Sequence, residues 1–93
     1  MSDFWIVVFQ RPGDAAFAQR EMMQQQIPVA MMPTPRDLSA SCGLSLRFSP
    51  QHANTVCSAL IALFPESGRC RFYQAVREQN RHQYHPVLPP EKS

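Results

Sequence analysis

Residues 4–9, Phe-Trp-Ile-Val-Val-Phe, are apolar on both alternating sets, Phe4/Ile6/Val8 and Trp5/Val7/Phe9. That is the pattern of a central strand covered on both faces. Arg-Pro-Gly-Asp at 11–14 breaks the run, Asp14 is a good N-cap, and the spacing of Ala15, Ala18 and Met22 predicts a helix through Gln26, stopped by Pro28. A short apolar stretch at 29–32 reads as a second strand, ended by Pro33 and Pro35. Beyond the loop that follows, Leu44, Leu46 and Phe48 alternate with Ser45 and Arg47, a strand with one face inward. Ser49 and Pro50 then open a second helix whose apolar stripe is Ala53, Val56, Cys57, Leu60, Ile61 and Phe64. Pro-Glu-Ser-Gly at 65–68 turns the chain into a fourth strand at 69–76. From Glu78 onward the residues are polar, with three prolines and no periodicity, which predicts a mobile tail.

The order β-α-β-β-α-β, with right-handed crossovers, predicts an α+β chain of the ferredoxin-like class. The expected sheet is four-stranded and antiparallel, in the spatial order 4-1-3-2, with both helices on one face. Residues 1–78 form this domain and 79–93 the tail. One apolar set of the first strand then has no helix over it. Exposed apolar patches mark interfaces, so a homodimer through the open sheet face is expected, with the tail as an alternative cover.

Composition narrows the function classes. Ninety-three residues with 44% hydrophobic content support one modest core without disulfides or a structural metal. A net charge of +2 with both signs scattered leaves no basic stripe, which argues against nucleic acid. The longest apolar run is far below the roughly 20 residues of a membrane span, and nothing in the chain resembles a secretion signal. A soluble, cytoplasmic protein is expected. The three cysteines, Cys42, Cys57 and Cys70, include no C-x-x-C pair. Free thiols in a reducing compartment are simpler than a disulfide framework or a zinc site. His52, His82 and His85 do not converge on a metal, no Gly-rich phosphate loop or Ser-His-Asp set can be drawn, and no cofactor is expected.

One thiol stands out. In the predicted topology the first strand ends, the first helix starts, and the third and fourth strands begin at the same end of the domain. Cys42 heads the third strand there. A helix N-terminus favours an anion, and Arg11 and Arg36 are cations within reach. Such surroundings lower a thiol pKa from about 8.5 toward roughly 3.5–7.5 and release the nucleophilic thiolate. Gly43 removes crowding and permits a positive φ, and Ser39 and Ser41 offer hydroxyl donors to a bound anion or persulfide. Cys57 falls in the apolar stripe of the second helix and reads as core. Cys70 is a possible second thiol, but it starts two strand steps from Cys42, roughly 10 Å away, beyond disulfide reach without movement. Arg47 reads as a solvated or interface residue on the open face rather than an anion anchor.

The stretch Pro-Arg-Asp-Leu-Ser-Ala-Ser-Cys-Gly at 35–43, followed by a strand carrying Arg47, resembles the signature of a family of small bacterial proteins called putative Se/S carrier protein-like. Pro35, Arg36, Leu38, Ser39, Ser41, Cys42, Gly43 and Arg47 carry the match, and fainter similarity extends over about residues 4–75. Where members commonly have Gly before the Ile-Pro after the first helix, this chain has Gln26. The resemblance implies a carrier of reduced sulfur or selenium on Cys42, exchanging with donor and acceptor proteins. No general acid or base is evident near the thiol, so a carrier is expected rather than a turnover enzyme. The alternative is a non-catalytic module of the same fold that binds a small anion or a protein, with Cys42 lining its pocket.

Overall fold

The computed structural model describes residues 3–38, 43–66 and 68–88. Strand β1 (Phe4–Phe9) leads through Gly13, in the left-handed region at φ 88°, to helix α1 (Asp14–Gln24). The helix closes on Gln26, also left-handed at φ 59°, with Ile27 N–H donating to the Met22 carbonyl at 2.8 Å and Gln26 N–H to that of Met23 at 3.1 Å. These are the two crossed bonds of a Schellman cap, made on a residue that tolerates the conformation less well than glycine. Strands β2 (Ala30–Pro33) and β3 (Leu44–Phe48) follow, then a single 3₁₀ turn and helix α2 (Ala53–Leu63). Strand β4 (Cys70–Glu78) is joined to β5 (Arg81–Val87) by a two-residue turn.

The sheet is antiparallel throughout and has five strands, not the expected four, in the order β2-β3-β1-β4-β5. The addition comes from residues assigned by the sequence pattern to a tail. Gln79 and Asn80 both take positive φ, 50° and 68°, the geometry of a two-residue hairpin turn whose twist matches the flanking strands. No glycine advertises that turn. The strand itself carries only one clearly apolar residue facing the core side, Val87, which packs against the hydrophobic cluster.

The core lies between the helices and one sheet face: Trp5, Val7, Phe9, Leu46, Phe48 and Phe72 meet Ala15, Ala18 and Met22 of α1 and Ala53, Val56, Cys57 and Leu60 of α2. Ile61, expected in the buried stripe of α2, is 46% exposed instead. The other face holds Phe4, Ile6 and Val8 of β1 together with Ser45, Arg47, Tyr73, Ala75 and Tyr84, as the strand registers dictate. No helix covers it, yet Ile6, Val8, Ser45 and Ala75 are completely buried within a single chain. The apolar argument for a sheet-face homodimer therefore lapses. Among the described residues no helix is long and apolar enough to cross a membrane.

Candidate functional site

The end of the sheet where β1 stops and β4 starts brings together Gln10, Arg11, Asp14, Glu66, Arg69 and Cys70. Arg69 donates from Nε to Asp14 Oδ2 at 3.0 Å and from Nη2 to Asp14 Oδ1 at 3.4 Å, a bidentate pair that ties the first turn of α1 to the entry of β4. Its Nη1 bonds Glu66, and its guanidinium lies 5.1 Å from the centre of the Phe64 ring. The Asp14 carboxylate holds the Arg69 pKa above its ordinary value. Arg11 is turned to Glu66, with Nη2 3.6 Å from Oε2 in an exposed pair.

These contacts revise the electrostatics expected of the site. The positive end of α1 already faces a carboxylate of its own chain, Asp14, which sits inside the helix as its first residue while Gly13 takes the N-cap position without a side-chain bond. Arg11 and Arg69 are matched by Glu66 and Asp14, so the described part of this end is close to charge balance. Arg11 thus has Glu66 as an exposed neighbour, a pairing of little energy in water.

Cys70 is part-buried at this end, and its pKa is pushed up to about 12, first by burial and next by the Asp14 carboxylate, with Arg69 opposing. Cys57 is completely buried in the core, and burial with a smaller contribution from Cys70 pushes its thiol up to about 12 as well. Both are free cysteines and both are protonated, hence unreactive, at neutral pH. Cys70, the possible second thiol, stands among groups that disfavour its thiolate.

The loop between β2 and β3 is described on either side of its centre. Leu38 N–H donates to the Pro35 carbonyl at 3.0 Å, closing a turn that carries Arg36 and Asp37 at its exposed corner. Among the described residues none of the ion pairs includes Arg36. Thr34 N–H donates to the Gly43 carbonyl at 2.9 Å, and the Thr34 and Ser45 hydroxyls are 2.6 Å apart. Gly43 does not use a positive φ, and a Cβ there would meet nothing within 4 Å, so among the described residues neither backbone conformation nor packing calls for glycine at this position. Burial and the charge of Asp37 raise the pKa of Tyr84 in β5. β2 and β5 are opposite edges of the sheet, about 19 Å apart at ordinary strand spacing. Cys42, Ser39 and Ser41 lie outside the described residues.

Arg47 lies with its guanidinium 5.6 Å from the centre of the Phe4 ring, a cation–π contact rather than an anion site. Sequence reasoning missed Gln10, whose side-chain Nε2 is shielded from solvent without a hydrogen-bond partner. It also missed the Asp14–Arg69 pair. Its signal was available: the predicted topology puts the end of the first strand and the start of the fourth together, and opposite charges stand at both. Among the described residues no group of three or more His, Cys, Asp or Glu side chains gathers as metal ligands.

Fold and site together define a small α+β protein with two helices beside a five-stranded antiparallel sheet. Residues 4–62, well over half the chain, match the family described as Putative Se/S carrier protein-like, and the chain belongs to that family. No curated protein and no solved structure shows significant similarity to it.

Proposed function

We propose that the protein is a sulfur or selenium carrier that holds its cargo on Cys42. The observation that carries this reading is the silencing of the other two thiols: Cys57 and Cys70 are both held protonated to about pH 12, so thiolate chemistry at neutral pH falls to Cys42, the cysteine of the family motif. Family membership supports the class of cargo. The step is a thiol exchange. The Cys42 thiolate attacks the outer sulfur of a donor persulfide, a new S–S bond forms on Cys42, the donor's S–S bond breaks, and the donor leaves as a thiolate. No oxidant is consumed, because the sulfur arrives and leaves in the same oxidation state. Donor and acceptor proteins in a reducing cytoplasm are the partners. Arg36, exposed on the adjoining turn, is the cation available to the anionic cargo; Ser39 and Ser41 supply hydroxyls beside Gly43.

The test is alkylation of the native chain as a function of pH, with peptide mapping to assign each label. Cys42 is expected to react with a midpoint well below the roughly 8.5 of a free cysteine and to gain the mass of one sulfur atom after exposure to polysulfide, while Cys57 and Cys70 stay unlabelled until the protein unfolds. A Cys42 midpoint at the free-cysteine value with no sulfur adduct would replace the carrier with a binding module.

A further inference from the structure

The fully buried core rests on β1, β3 and β4 among the strands, and β5 reaches it only through the partly buried Val87. At that margin Val87 and its cross-strand partner Phe72 line a cavity of about 530 Å³, together with Ile61 and Phe64 from the C-terminal end of α2 and with Leu88. The volume falls within the roughly 300–1,000 Å³ of small-molecule sites. The same cavity accounts for two side chains that the core leaves out. Ile61 holds a position in the apolar stripe of α2 yet is exposed, and Leu88 is 89% exposed. A single exposed hydrophobic residue needs no reason, whereas two lining one apolar cavity mark a binding surface. One charge in the lining lacks a counterpart. Glu66 is matched by Arg69 and Arg11. Arg71, exposed near the start of β4, takes part in no ion pair or side-chain hydrogen bond among the described residues. Cys70 adds a neutral surface, since its thiol pKa is pushed up to about 12.

We infer that this cavity between α2, β4 and β5 binds a small amphipathic carboxylic acid, its apolar body against Phe72, Val87, Ile61 and Leu88 and its carboxylate at Arg71. Release of water from the apolar walls supplies most of the affinity. The guanidinium selects the head group, because its planar fork matches a carboxylate and its charge has no acid of the same chain to satisfy it. A cationic ligand has no such opening, since the acid of the lining is already matched by two arginines. Such a site is independent of the carrier reading: none of its residues belongs to the 35–43 motif.

The experiment titrates decanoate, kept below its micelle-forming concentration, into the full chain by calorimetry, with decanol as the uncharged control. One equivalent of decanoate is expected to bind, more tightly than decanol. It should shift the methyl NMR signals of Ile61, Val87 and Leu88 and raise the melting temperature, as a ligand of the folded state does. Arg71→Gln should weaken decanoate about three- to tenfold and leave decanol unchanged, while Leu88→Asn should weaken both. Both replaced side chains are exposed, so the ligand-free variants should melt with the parent, which separates lost binding from lost folding. Uptake of several equivalents with a falling melting temperature would reveal a detergent effect and overturn the site. The absence of saturable binding, or methyl shifts confined to other parts of the chain, would overturn it as well. Decanoate and decanol bound alike by the parent would overturn the assignment of an anionic ligand to Arg71.

Discussion

At the scale of single residues, the three cysteines differ by their surroundings rather than by their chemistry. Cys57 was readable as core because it falls at helical spacing between Val56 and Leu60. Cys70 was not, because the deciding neighbour, Asp14, is 56 positions away in sequence and is brought beside it by the Arg69 pair. The raised pKa values make a prediction about alkaline stability. In the folded chain both thiols keep their protons to about pH 12, whereas unfolding returns them to the ordinary value of 9.0. Below that value both states are protonated and the thiols contribute no pH dependence. Between it and about 12 the unfolded chain binds fewer protons than the folded one, so stability falls as pH rises. Melting temperatures measured from about pH 8 to about pH 11 should decline, and replacing both cysteines by alanine should flatten that decline, separating the thiols from the tyrosines that titrate nearby. A slope unchanged by the replacement would mean that the two thiols ionise freely in the folded protein.

At the scale of elements, two helices and four strands were legible because each has an apolar period of its own. Their boundaries shifted by one to three residues, as with α1, which ends at Gln24 and is capped on Gln26. β5 was illegible for a physical reason. Its turn uses Gln79 and Asn80 in left-handed conformations without glycine, its one apolar core contact is Val87, and Pro86 argues locally against a strand. The register with β4 supplies what local pattern does not: seven paired positions from Phe72↔Val87 to Glu78↔Arg81. A chain ending at Glu78 should therefore be less stable, not merely shorter. Removing the strand leaves one edge of β4 unpaired and uncovers part of the core at Phe72, a loss of at least about 1 kcal/mol, which in a domain of this size lowers the melting temperature by about 4–8 °C. An unchanged melt of the truncated chain would return 79–93 to the status of a dispensable tail.

At the scale of the whole molecule, the sequence pattern correctly flagged a β1 face without a helix, but not what becomes of it. Ile6 and Val8 are sealed within one chain, a tertiary fact that no local period encodes. Ile6→Ala should then cost about 2–5 kcal/mol, the range for truncating a fully buried aliphatic side chain. The loss should be the same at every protein concentration. Unfolding midpoints that fall on dilution would show that a second copy covers the face after all. The same distinction governs the candidate site. The motif and its cysteine were legible in the sequence, whereas the pairs that Arg11 makes with Glu66 and Asp14 with Arg69 join residues 55 positions apart and meet only in the fold.

With β5 in place the sheet presents two outer strands, and both are poor templates for addition. β2 has four residues and closes on Pro33, while β5 carries Pro86 among Arg81, His82 and His85. Proline lacks the amide proton that an incoming strand needs, and charge along an edge penalises a matching copy. A sheet bounded in this way is guarded against growing edge to edge into fibrils of itself.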